Sequence, residues 1–143
     1  MPTYTVTTAN LSLSQQQKSQ IADAITTAHS SQTGAPRFFA QVLFTALGEG
    51  DHFVGGQVNT EPQVYVSGLV REGRSAKVKQ AVISQMLEAI AMITGVTTED
   101  IWIYLQDLPA AQMVEFGRFL PAPGDEAEWE RGMSPEKRAK LPN

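Results

Sequence analysis

Near the start of the chain, Thr3, Tyr4, Thr5 and Val6 alternate polar and apolar character with the period of a strand. The period then lengthens. Ile21, Ala24, Ile25 and Ala28 fall on one face of a 3.6-residue helix. Ser14 followed by Gln17 reads as a capping box at its start, and Gly34 as the residue that ends it. Residues 38–44 return to a strand pattern. The whole order then recurs with an offset of 61 residues. Val64, Tyr65 and Val66 form a strand, and Ser75 caps a second helix. The stripe of that helix is Val82, Met86, Ala89, Ile90 and Ile93, and Gly95 stops it as Gly34 stops the first. Ile101, Trp102, Ile103, Tyr104 and Leu105 form another strand, in which Tyr104 aligns with Leu43. Two β-α-β units in tandem are predicted, each with a right-handed crossover. The expected fold class is α+β: a four-stranded mixed sheet with two helices on one face, followed by a small C-terminal hairpin and tail.

Residues 1–143 read as one domain, with the two units at about 2–47 and 62–109. The glycine-rich stretch 48–59 joins them, through a short hairpin. Residues 111–120 are expected to form a second small hairpin turning near Gly117. The tail from Pro121 is rich in proline and charge and holds two expected helical turns, 125–131 and 134–140. The latter opens with Ser134 as cap and Pro135 at the first helical position. Such a sheet leaves one face without helices and its edges unpaired. Further copies of the chain are the natural cover, so a multimer is expected.

Composition narrows the function. A formal charge of −4 with no basic stripe argues against general nucleic-acid binding. The absence of cysteine excludes disulfides, thiolate catalysis and cysteine metal sites. His29 and His52 lie far apart and match no metal-ligand spacing, so no metal is expected. No apolar run approaches membrane-spanning length, and the N-terminus lacks a signal-peptide pattern. A cytoplasmic location is the expectation.

Pro2 directly follows the initiator methionine, a placement at which aminopeptidases remove the methionine. Pro2 would then begin the mature chain as a secondary amine able to act as acid, base or nucleophile, its protonation set by its neighbours. The alternative is a proline that merely opens a strand. Arg71 and Arg74 lie in the link between a strand and a helix start. Both can grip a carboxylate in a fork, and backbone N–H groups at the helix opening favour an anion there. Cations oppose the macrodipole at that end, so helix stability does not explain them. A pair of solvated surface arginines is the competing reading.

His29, at the edge of the first helix stripe, is either a satisfied, partly buried residue or a ligand. Tyr104 shares its strand face with Trp102, where packing is the ordinary role of a tyrosine. Glu115 sits in a mostly apolar stretch; burial would raise its pKa unless a cation or donor lies close. An exposed hairpin glutamate is the other reading. His52 receives no role, and Arg118 is open between structure and a subunit contact. Glu126, Glu128, Glu130 and Glu136, with Lys137, Arg138 and Lys140, read as a solvated helix face.

Taken together, Pro2, the duplicated β-α-β unit, His29, the Arg71-Glu72-Gly73-Arg74 turn, Tyr104 and Glu115 resemble the cis-3-chloroacrylic acid dehalogenase family of the tautomerase superfamily. The likeness runs from Pro2 to about Trp129. It is strongest from Gly68 through Ser75, from Ile101 through Tyr104, and from Pro109 through Pro121. It implies a tautomerase-like fold and a homotrimer. Pro2 corresponds to the amino-terminal catalytic proline. His29, Arg71 and Arg74 correspond to residues that bind and polarise the substrate carboxylate. Tyr104 and Glu115 correspond to the pair that activates water. Phe116 departs from the family's tyrosine before the Gly-Arg pair, and the tail is shorter than in some members.

The activity implied is cofactor-independent hydration of a cis-3-haloacrylate to malonate semialdehyde and halide, with Pro2 as general acid. The alternatives are a tautomerase of keto or enol acids with Pro2 as base, a hydratase or decarboxylase of acetylenic acids, a binding protein, or a structural oligomer. Glu115 and Tyr104 together favour hydration, because keto–enol transfer needs no activated water.

Overall fold

The computed structural model describes residues 2–141. Strands β1 (Thr3–Ala9), β2 (Gln41–Ala46), β5 (Gln63–Arg71) and β6 (Ile101–Leu108) form one sheet in the order β2-β1-β5-β6. β1 runs parallel to β2 and β5 parallel to β6, while β1 and β5 meet antiparallel at the centre. Helices α1 (Gln15–Thr33) and α2 (Ala76–Thr94) cross over within the two units. The hairpin β3–β4 (Phe53–Val54 and Gln57–Val58) interrupts the link between them. A second hairpin, β7–β8 (Val114–Glu115 and Arg118–Phe119), precedes the short tail helices α3 (Glu126–Arg131) and α4 (Pro135–Arg138).

The caps are those the residue types call for. Ser14 and the Gln17 side chain satisfy each other's backbone N–H groups, and Gly34 and Gly95 end their helices in the left-handed region at φ 71 and 75. The main core lies between helices and sheet: Tyr4, Val6, Ile21, Ile25, Val64, Val66, Met86 and Ile90 are fully buried. Full burial of a side chain of this kind stabilises by roughly 1.5–3 kcal/mol. A smaller core of Phe39, Leu120, Trp129 and Met133 lies under the tail.

Two details differ from the expected pattern. Residues 38–39 do not join the second strand. Pro36, at φ −54 and ψ 140, feeds a 3₁₀ turn over Arg37–Phe39, and Phe39 packs with Leu120, Trp129 and Met133. Tertiary contact with the tail overrides the aromatic strand propensity. The repeat offset also changes within the units. Thr5 pairs with Leu43 whereas Ser67 pairs with Tyr104, so the first strands are offset by one residue more than the second strands. One residue reverses the face of a strand. Tyr65 therefore lies against Tyr104, with ring centroids 5.3 Å apart, while Tyr4 points into the core.

Candidate active site

Tyr4 begins the construction of the site. It pairs with Gly68 across the central antiparallel strands. A Cβ at position 68 would lie 2.6 Å from Cε1 of Tyr4 and 2.6 Å from Cδ2 of Leu105, so glycine is what admits the ring. The Tyr4 hydroxyl reaches Nδ1 of His29 on α1 at 2.8 Å. Burial raises the Tyr4 pKa well above its ordinary value. His29 is only 7% exposed, and its pKa is pushed down to about 4. Burial is the largest cause, followed by the positive charges of the amino terminus, Arg74 and Arg71. The imidazole is therefore neutral at physiological pH. A buried phenol facing a neutral imidazole nitrogen is satisfied when it donates, which leaves the ring proton on Nε2.

Two sequence-selected cations, Arg74 and Arg71, thus bear on one imidazole, together with the amino-terminal charge. Pro2 lies at the head of β1 with its ring fully buried, and its carbonyl accepts a hydrogen bond from the Gln41 N–H at 3.0 Å. Thr3 pairs with Leu69, so continuing the register brings Pro2 to the end of β5 that carries Arg71. Arg74 follows in the loop to α2 and is half-buried. Burial, then repulsion from Arg71, lowers the Arg74 pKa, while Glu126 opposes that shift.

Arg71 is not a surface arginine: it is 4% exposed. Its Nη1 donates to the Pro121 carbonyl at 2.6 Å, and its Nη2 pairs with Oε1 of Glu126 at 2.5 Å. Its Nε is buried without a hydrogen-bond partner. Glu126, assigned from the sequence to a solvated face, instead turns inward and also accepts the Gly124 N–H at 2.9 Å. Burial acts to raise its pKa, but the Arg71 hydrogen bond, backbone N–H groups and the Arg71 charge outweigh it and hold the carboxyl below its ordinary range.

Glu115 lies on β7 and lines a cleft of about 660 Å³ with Thr3, Gln41, Phe38, Phe39 and Phe116. The cleft opens beside the start of β1, so Glu115 and the amino end share a border. Phe116 and Gly117 form the hairpin turn, both at positive φ (53 and 77). Phenylalanine in that region is unusual and sterically disfavoured. Its ring is held by Phe38, Phe39 and Trp129, at centroid distances of 6.4, 6.4 and 6.2 Å, and by Lys137 Nζ 5.2 Å from its centroid. Arg118 anchors the tail, donating to the Trp129 carbonyl at 2.5 Å with its guanidinium 5.4 Å from the Trp129 ring centroid. His52 meets the Asn59 amide at 3.0 Å through Nδ1. Among the described residues no group of acidic and histidine side chains is arranged to hold a metal.

Tyr104 stands apart. It lies on the helix-free sheet face, 58% exposed, with Trp102 (41%), Leu43 (46%) and Leu69 (38%) on the same face. Its register partner is Ser67, four positions from Arg71 along β5, which is roughly 13 Å at strand rise. Within one chain it does not join the others.

A family model described as "Putative oxalocrotonate tautomerase enzyme" matches residues 1–133. The crystal structure of N1, a member of the cis-3-chloroacrylic acid dehalogenase family, is similar to this chain with a TM-score of 0.90 and 30% identity, covering 97% of each chain. The chain belongs to the tautomerase family that this model describes and to the cis-3-chloroacrylic acid dehalogenase family. Native Ps01740 is similar with a TM-score of 0.74 and 29% identity, over 79% of this chain and 99% of that one. A fused 4-OT, a wild-type symmetric trimer, shares the fold at a TM-score of 0.75 and 20% identity, over 82% of this chain and 94% of its own. No curated protein matches.

Of this family member's sequence-selected residues, His29, Arg71 and Arg74 lie within one electrostatic neighbourhood with the amino terminus. Glu115 borders it and Tyr104 does not. The sequence reading missed Glu126 and Tyr4. Tyr4 carried a signal: its alternation with threonine marks it as inward, and a buried phenol needs a partner. Glu126 carried none, because nothing in a run of tail carboxylates singles out the one that folds back 55 residues.

Proposed function

We propose that this chain is an enzyme of cofactor-independent hydration, acting on a small α,β-unsaturated carboxylate such as a cis-3-haloacrylate. The carrying observation is that Arg74 and Arg71 act together on the buried, neutral His29 imidazole, at the end of the sheet where Pro2 opens β1. In this reading Arg71, Arg74 and His29 hold and polarise the substrate carboxylate. Glu115, assisted by Tyr104, takes a proton from water, whose oxygen attacks C3. The C=C electron pair moves toward C2 and the carboxylate, and protonated Pro2 delivers a proton to C2. The halohydrin collapses as its C–OH becomes C=O, releasing halide and a proton to leave malonate semialdehyde. The enediolate that develops is more negative than the substrate carboxylate, so donors placed there act mainly on the transition state. Acid and base each supply about 10²–10⁴-fold.

Tyr104 enters this scheme only from another copy. A homotrimer covers the exposed Leu43, Leu69 and Trp102 and carries Tyr104 toward a neighbour's Glu115. The symmetric trimer of the fused 4-OT supports that arrangement.

One observation favours a second reading, keto–enol tautomerisation with Pro2 as base. Arg74 and Arg71, which depress His29, would also depress a nearby amine, and a neutral Pro2 accepts a proton. Assay of both 3-chloroacrylate isomers, propiolate and an enol acid, together with mass spectrometry of the N-terminus, separates the two. Malonate semialdehyde from the cis isomer alone, by chains that have lost Met1, is expected. Faster turnover of the enol acid transfers the assignment to the tautomerase. Full activity of Pro2→Ala removes both.

A further inference from the structure

The tail places a carboxylate on one of the two clamp arginines. Glu126 and the Pro121 carbonyl take both terminal nitrogens of Arg71, leaving only Nε without a partner. The contact is built rather than incidental. Gly73 sits at φ +103 and a Cβ there would lie 2.8 Å from Cγ of Pro123, so the tail is seated against the two-arginine turn. Trp129 secures α3 from the other side, donating from Nε1 to the Phe119 carbonyl at 2.7 Å. Arg74 shares a cavity of about 370 Å³ with Glu126, Thr33, Gly34 and Pro36. Two guanidinium groups facing one anion repel each other, and a carboxylate set beside them relieves that repulsion while cancelling one charge. With His29 neutral, Arg71, Arg74 and Glu126 together carry one net positive charge.

We infer that Glu126 is a positioning residue that commits the Arg71 fork to the tail, leaving Arg74, the His29 Nε2–H and the Arg71 Nε–H as the anion's donors, so that the clamp selects a single carboxylate over a dicarboxylate. The inference rests on the carboxylate site proposed above. A second carboxylate on the ligand would compete with Glu126 for Arg71 and meet its negative charge. The clamp is thereby fitted to monoanionic acids whose far end is uncharged.

The test is binding, independent of turnover. Acrylate and fumarate are titrated into the full chain by calorimetry, for the native protein and Glu126→Gln, with both ligands ionised. The native protein is expected to prefer acrylate, and Glu126→Gln to shift the acrylate-to-fumarate affinity ratio by about tenfold toward fumarate, the effect of one nearby charge in a partly screened site. A ratio unchanged in Glu126→Gln overturns the role of Glu126 while leaving the carboxylate site standing. Failure of the native protein to bind either anion overturns both. Should Glu126→Gln not fold, the native protein still decides the matter by ¹⁵N spectroscopy. Acrylate is expected to shift the Arg71 Nε–H resonance and leave its Nη resonances in place. Movement of the Nη resonances, showing Glu126 displaced by the ligand, overturns the inference.

Discussion

The Tyr4 hydroxyl lies 2.8 Å from Nδ1 of His29, and both side chains are buried. The contact joins the first strand to the first helix across the core. Gly68 makes room for it from the neighbouring strand. A strand, a helix and the absence of one methyl group therefore combine to set the tautomer of a single histidine.

Tyr4→Phe removes the hydroxyl and keeps the ring. Loss of the buried hydrogen bond is expected to lower stability by about 1–2 kcal/mol in urea unfolding. It also leaves Nδ1 without its donor, so His29 is expected to populate both tautomers, read from its ¹⁵N shifts. Unchanged nitrogen shifts would show that the phenol does not fix the ring.

Gly68→Ala tests the same geometry from the other side. The added methyl would meet Tyr4 and Leu105 at 2.6 Å, well inside van der Waals contact. An overpacked core is expected to lose roughly 1–3 kcal/mol, and His29 to show the tautomer change of Tyr4→Phe although neither partner is altered.

The His29 shift fixes a pH dependence. Its pKa is about 4 in the fold against 6.5 unfolded, so between those values the unfolded chain binds the extra proton. Stability therefore rises with pH across that window and is lost as pH falls from 6.5 toward 4. The contribution is about 3 kcal/mol for a buried group. The lowered pKa of Glu126 acts in the same direction but further into acid, below the ordinary carboxylate range. The rise of denaturant midpoints with pH across the window is expected to flatten in His29→Gln and to keep its slope in Glu126→Gln, whose midpoints are lowered throughout by loss of the Arg71 pair.

The separation of Tyr104 from the other site residues predicts complementation between subunits. Tyr104→Phe and Arg74→Ala are each expected to reduce turnover by at least tenfold, on the scale of one catalytic or charge-stabilising group. Mixed assemblies reconstituted from the two inactive chains are expected to regain a measurable fraction of native activity, because some sites then combine an intact Arg74 with a neighbour's Tyr104. No recovery in verified mixed assemblies would place the residues in one chain's site or remove Tyr104 from it.

Trp102→Glu places a charge on the helix-free face. Sedimentation is expected to show dissociation to smaller species, with circular dichroism unchanged because Trp102 lies outside both cores. Intact assembly would show that this face is not the subunit contact.

Local chemistry settled much of this protein without tertiary information. Alternation at Thr3 to Val6, the stripe from Ile21 to Ala28, the Ser14–Gln17 box and the glycines at 34 and 95 act within a few residues, so the tandem units and their caps were legible in order. Candidate site residues could also be named there, because Arg71, Arg74 and Glu115 carry their chemistry wherever the chain places them. The fold alone decided which face each strand presents, since an offset of one residue sends Tyr65 to Tyr104 and Tyr4 to His29. It also decided that Arg37–Phe39 turn away from the sheet and that Glu126 closes on Arg71. These contacts join residues distant in the chain, and the free energy that selects them comes from packing and desolvation that no local pattern encodes.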